Sequence, residues 1–185
     1  MKRKIAVDID NTIWDLVSPW IDLYNRSYDD NVEREDITRY DFFTITSKAS
    51  REEILNFLST EDIWQSVEPY KESYEYLEKL NNEYELYIVT NTSYKTPKAK
   101  FDRLFSLFPF LSEDQLVIIS NKQLLNIDIM VDDCMDHLCG GNFIKFLIDE
   151  PYNRNECEDK EIIRVKNLKE VYMYLNNIEK KDDNL

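Results

Sequence analysis

The chain has 185 residues, 43% of them hydrophobic and 13% aromatic, with a formal net charge of −14 at pH 7. This is enough apolar material for one packed domain with a modest insert, and too acidic a balance for gripping a nucleic-acid backbone. No apolar run approaches a membrane span, and only Ile5-Ala6-Val7 separates the basic Met1-Lys2-Arg3-Lys4 from Asp8, too little for a secretory signal.

Three cysteines, Cys134, Cys139 and Cys157, lack any paired spacing and read as reduced thiols of a cytoplasmic protein. His137 is the only histidine, which removes His-rich metal sites, and it reads as a helix-surface residue. Two glycines, Gly140 and Gly141, leave no room for a phosphate-cradling loop of the P-loop or dinucleotide-binding kind.

In chain order, Ile5–Val7 is a short apolar run ending in Asp8-Ile9-Asp10-Asn11-Thr12. Residues i and i+2 of an extended segment share a side, so Asp8 and Asp10 can face one ligand. From about Trp14 to Glu68 no convincing strand is visible. Trp14–Tyr24 has helical apolar spacing, and Ser50-Arg51-Glu52-Glu53 has the form of a capping box. Further strand-length runs follow at Leu86–Val89, Leu116–Ile119, Ile127–Val131, Phe143–Ile148 and Ile162–Val165. They are nearly continuous, as parallel strands buried on both faces require. Helical patterns lie at Glu72–Leu80, Lys98–Phe108 and Leu168–Ile178, and the polar tail Glu179–Leu185 reads as frayed. The alternation implies an open α/β sheet flanked by helices, with a helical block inserted after the first strand.

Ligands of such sheets bind outside the carboxyl ends of the strands. Those ends carry Asp8 and Asp10, then Thr90-Asn91-Thr92, then Lys122, then Asp132-Asp133. Hydroxyl, amide and ammonium groups suit phosphoryl oxygens. Adjacent acids are costly unless a cation is bound, and Mg²⁺ favours an all-oxygen site.

In this order the residues resemble the four motifs of the haloacid dehalogenase (HAD) superfamily. More narrowly, Glu35–Phe42, Ile129–Asp133 and Phe146–Asn153 resemble the 5′(3′)-deoxyribonucleotidase family. The resemblance implies a Rossmann-like HAD core over 1–13 and 69–185 with a small helical cap over 14–68. It implies Asp8 as the nucleophile on phosphorus and Asp10 as the proton donor and acceptor. It implies phosphate binding by Thr90 and Lys122, with Asn91 a further candidate beside Thr90, and Mg²⁺ held by Asp8, the Asp10 backbone carbonyl and one or both of Asp132 and Asp133. Phe42 and Phe43 are the expected contacts to a base. Two departures stand out: Asn11 where many relatives have glycine, and Cys134-Met135 where animal relatives have Arg-Pro.

The expected function is Mg²⁺-dependent removal of phosphate from nucleoside monophosphates, by a monomer or homodimer with no polymeric nucleic acid or membrane as partner. The alternatives are a phosphatase for another small ester such as a sugar phosphate, and a non-catalytic binding protein on the same fold. The other aromatics, among them Trp14, Trp20, Tyr24 and Trp64, read as core.

Overall fold

A computed structural model describes residues 2–40, 48–155 and 160–182. Six parallel strands form one sheet: β1 (Lys4–Val7), β4 (Glu85–Thr90), β5 (Leu116–Ile118), β6 (Ile129–Asp132), β7 (Ile144–Ile148) and β8 (Ile162–Val165). Their order is β5-β4-β1-β6-β7-β8, so the chain runs outward on one side of β1 and then returns to the other. β1 is therefore the switch point, where such sheets open a ligand crevice. The expected α/β sheet is the observed one.

Side-chain alternation along the strands builds two apolar layers. Ile5, Val7, Ile88, Val131 and Phe146 face one way and pack against α4 (Ser73–Glu83), α5 (Ala99–Leu107) and α7 (Leu168–Asp182). Ala6, Val89, Met130 and Leu147 face the other way, against the short α6 (Met135–Leu138). α7 runs on to Asp182, past the point where the polar tail was expected to fray.

Between β1 and α4 lies the expected helical block: α1 (Val17–Tyr28), α2 (Arg51–Phe57) and α3 (Glu61–Ser66). Ser50 and Glu53 form the capping box of α2, with Ser50 N–H donating to Glu53 Oε2 at 2.8 Å. Trp20 and Tyr24 stack at 5.6 Å, and Trp14 and Trp64 meet at 6.3 Å. All four rings are buried, so they are core.

The block's two ends correct one expectation. β2 (Trp14–Asp15) and β3 (Glu68–Pro69) pair antiparallel, a two-residue ribbon where no strand was expected. Arg34 ties this ribbon to the sheet. It donates to Asp15 Oδ1 at 2.8 Å, to the Tyr70 hydroxyl at 2.9 Å and to Glu150 Oε1 at 2.7 Å. Among the described residues no helix is long and apolar enough to cross a membrane.

Candidate active site

The site is assembled by strand register. Val7 of β1 lies beside Ile88 of β4 and Val131 of β6, so the residues just beyond them share one edge. Asp8 closes this alignment through its N–H, which donates to Val131 O at 2.9 Å. Asn11 then turns the chain with φ of 55°, a left-handed conformation that asparagine tolerates better than other L residues. Its side-chain carbonyl accepts the N–H groups of Leu16 and Val17 at 3.1 Å each, satisfying orphan donors at the start of α1. The departure from glycine thus keeps the turn and adds a cap.

Lys122 is fully buried on the turn Lys122–Leu124. Its ammonium donates to Asp8 Oδ1 and, at 2.7 Å, to Asp132 Oδ2. Burial works against this charge, yet the two carboxylates outweigh it and hold the ammonium above the ordinary lysine value. Asp132 has both oxygens occupied. Oδ1 accepts the Cys134 N–H at 2.9 Å, and His137 Nδ1 stands 3.1 Å from that same oxygen. Burial raises the Asp132 carboxyl, but Lys122 and His137 prevail and leave it at about 2.

Asp133 is engaged differently. Among the described residues, one side chain hydrogen-bonds its carboxylate: the Tyr152 hydroxyl, which donates to Oδ2. Burial and the charges of Asp8 and Asp132 push its pKa well above the carboxylate range. Burial likewise lifts Asp8, helped by Asp132 and Asp10 against the pull of Lys122, to about 7. Asp8, Asp132 and Asp133 each offer an oxygen within 4.8 Å of the others. Three buried carboxylates around one ammonium leave a deficit of positive charge, which a divalent oxygen-seeking ion fits.

Asp10 stands apart from this cluster. Its Oδ1 accepts the indole N–H of Trp14 at 2.9 Å, and its Oδ2 lies 2.6 Å from Lys100 Nζ. Lys100, on α5, is completely buried, reaches Thr90 Oγ1 at 3.2 Å and lies 4.9 Å from the Trp64 ring centre. Asp10, Lys100 and Trp64 line a cavity of about 620 Å³ between α2, α3 and the loop after β4, as do Asn91, Arg51 and Lys95. This is the size of a small-ligand site. Thr90 is the buried end of β4, well short of α5, so it caps no helix.

Of the expected residues, Asp8, Lys122, Asp132 and Asp133 form one cluster, with Asp10, Thr90 and Asn91 beside the cavity. Phe42 and Phe43 lie outside the described residues. Two groups escaped the sequence. Lys100 sits in an ordinary amphipathic pattern next to the exposed Lys98, and only its packing reveals it. His137 was expected on a helix surface. It is buried instead, because α6 begins directly after the acidic pair and turns its ring back onto Asp132. Cys134 is a free thiol, as expected, and burial pushes it upward, away from reactivity.

Comparison with known proteins decides the family. The model of the family described as "5' nucleotidase, deoxy (Pyrimidine), cytosolic type C protein" matches residues 2–181. The chain belongs to this nucleotidase family. The 5′(3′)-deoxyribonucleotidase of Bacillus subtilis strain 168 is 33% identical over 174 residues, 92% of this chain and 97% of its own length. Among solved structures, a haloacid dehalogenase-like hydrolase from Streptococcus pneumoniae superposes with a TM-score of 0.63 at 17% identity, over 94% of this chain and 98% of its own. The Bacillus subtilis protein YfnB, described as a HAD-hydrolase bound to magnesium, gives 0.60 at 16% identity, over 95% and 99%. As a member of this nucleotidase family the chain is a phosphatase of the HAD type.

Proposed function

We propose that the protein removes phosphate from deoxyribonucleoside monophosphates, with Asp8 as nucleophile, Asp10 as acid and base, and Mg²⁺ as cofactor. One observation carries this reading: Asp8, Lys122 and the pair Asp132-Asp133 converge at the sheet's switch point, and Asp10 and Lys100 line a cavity of about 620 Å³ beside them, with Thr90 hydrogen-bonded to Lys100. The relatives named for deoxyribonucleotides supply the substrate class. In this reading residues 14–68 act as a cap over the core formed by 1–13 and 69–185.

Asp8 attacks phosphorus, the bond from phosphorus to the sugar oxygen breaks, and Asp10 gives that oxygen its proton. Water then attacks the aspartyl-phosphate, Asp10 takes the water's proton, and inorganic phosphate leaves with Asp8 restored. Thr90 and Lys100 hold phosphoryl oxygens. In the free protein Lys100 is shared between Asp10 and Thr90, so an incoming phosphate dianion competes with Asp10 for it. Asp10, released from the ammonium as the phosphate docks, takes up from solvent the proton that it then gives to the leaving oxygen. Trp14 keeps the Asp10 carboxylate aimed throughout.

Mg²⁺ would be held by Asp8, the Asp10 backbone carbonyl and Asp133, and would neutralise charge on the nucleophile and the phosphoryl oxygens. Asp133 is the better direct ligand of the acidic pair, because Asp132 is saturated by Lys122, His137 and the Cys134 N–H. Asp132 anchors Lys122 instead.

Phosphate release from a panel of ribo- and deoxyribonucleoside monophosphates and sugar phosphates, with Mg²⁺ or EDTA, tests the proposal. Turnover favouring deoxyribonucleotides and lost in EDTA is expected. Turnover of sugar phosphates alone would overturn the substrate.

A further inference from the structure

The segment Asp149-Glu150-Pro151-Tyr152-Asn153 follows β7 and lies one strand away from the acidic pair. Its polar groups are turned inward. Glu150, Tyr152 and Asn153 are 5%, 1% and 1% exposed, unusual values for a polar turn.

Asn153 makes the turn rigid. Its amide donates to Asp133 O and to Ile148 O, both at 2.8 Å, while its carbonyl accepts the Glu150 N–H at 3.2 Å and Arg164 Nη1 at 2.6 Å. Pro151 fixes the backbone at the turn's first residue. The turn thus grips the Asp133 backbone, and Tyr152 reaches the Asp133 carboxylate. On its far side the Tyr152 ring meets Tyr40 edge-on at 5.8 Å.

We propose that Tyr152 is a positioning residue for Asp133, holding one carboxylate oxygen with a neutral donor so that the other oxygen and the full negative charge face the metal. This rests on the reading of Asp133 as a direct metal ligand. The contrast with Asp132 carries the argument. A carboxylate anchored by an ammonium has its charge compensated within the protein, as Lys122 does for Asp132. A carboxylate anchored by a phenol is fixed in space with no ammonium hydrogen-bonded to it, so a metal is left to compensate its charge. Two adjacent aspartates are thereby assigned different tasks by the donors that hold them. Outer-shell donors of this kind orient metal ligands, and losing one weakens metal affinity by roughly 10–100-fold.

The test is direct Mn²⁺ binding, followed by electron paramagnetic resonance on full-length protein without substrate. Wild type, Tyr152→Phe, Asp133→Asn and Arg34→Met are compared, each with a metal-free melting curve. Tyr152→Phe removes one oxygen and keeps the ring packing. It is expected to melt within a few degrees of wild type and to bind Mn²⁺ at least about tenfold more weakly. Arg34→Met cuts the link from the helical block to Glu150 without touching Asp133, and is expected to keep wild-type affinity. Wild-type affinity in Tyr152→Phe, beside lost affinity in Asp133→Asn, would overturn the positioning role alone. Wild-type affinity in Asp133→Asn would overturn the ligand assignment and the inference with it. Equal weakening in Tyr152→Phe and Arg34→Met would reduce Tyr152 to general support of the turn and so also overturn the inference.

Discussion

Lys100 Nζ lies 2.6 Å from Asp10 Oδ2, a partly buried ion pair joining a helix of the core to the second acid of the loop after β1. It gives the site two ammonium groups, Lys122 beside Asp8 and Lys100 beside Asp10, which in the proposed reaction serve the nucleophile and the proton-handling acid separately. Replacing Lys100 by Met should lower kcat/KM by about 10²–10³-fold, the scale for losing one preorganised electrostatic partner of a developing charge. KM should rise as well, since Lys100 is also proposed to bind phosphate. Steady-state kinetics on a deoxyribonucleoside monophosphate would check this, and unchanged kcat/KM would remove Lys100 from the mechanism.

The acidic pair should respond asymmetrically to neutralisation. Asp132→Asn removes the partner of Lys122 and His137, and breaking a buried pair of this kind costs about 3–5 kcal/mol. Asp133→Asn replaces a carboxyl whose charged form burial, Asp8 and Asp132 already disfavour, so the metal-free protein should be as stable as wild type or more so. It should also lose the rise in melting temperature that Mg²⁺ gives wild type. Melting curves with and without Mg²⁺ separate the two, and equal destabilisation by both would contradict the division of roles.

The pH dependence of stability has a definite sign. Asp8 titrates near 3.8 in an unfolded chain and at about 7 in the metal-free fold, so between those values the folded state binds more protons. Its contribution is full below the unfolded value and is lost as pH rises through the folded one. Asp132 acts oppositely: its folded value of about 2 adds stability above 3.8 that disappears as pH falls towards 2. Metal-free protein should therefore lose stability from pH 4 towards pH 7. Saturating Mg²⁺ should shift the optimum towards neutrality, because the ion binds deprotonated ligands. Asp133, also raised, adds to the slope with the same sign, so Asp8→Asn should reduce the metal-free slope without abolishing it. A metal-free melting temperature that climbs from pH 5 to 7 would contradict this.

Asn11 offers a local test of the turn. Asn11→Gly keeps the positive φ and loses the two hydrogen bonds to Leu16 and Val17, for about 1–2 kcal/mol. Asn11→Ala loses both bonds and adds left-handed strain, for about 2–4 kcal/mol. Denaturant unfolding would check the order, and alanine milder than glycine would rule out the strain argument.

Much of this was legible in the sequence because the strands are buried on both faces and advertise themselves as continuous apolar runs. Each strand end could then be asked for chemistry, which located Asp8, Asp10, Thr90, Lys122 and the acidic pair. The ribbon of β2 and β3 could not be read, because it joins Trp14 to Pro69 across the whole helical block and proline argues against a strand. Lys100 escaped for a related reason. Its burial depends on how α5 lies across the end of β4 and beneath Trp64, a tertiary relation with no local signature. His137 escaped because a lone histidine on a short helix normally faces water, and only the tight start of α6 turns it inward.

In the proposed reaction Asp8 carries the phosphoryl group between substrate and water. The most direct measurement is a rapid acid quench of the protein with Mg²⁺ and a ³²P-labelled deoxyribonucleoside 5′-monophosphate, followed by peptide mapping. A hydroxylamine-sensitive label on the peptide containing Asp8 is expected, formed no more slowly than turnover and absent from Asp8→Asn, whose kcat should fall at least about 10⁴-fold. Undiminished turnover by Asp8→Asn, or label confined to another residue, would contradict it.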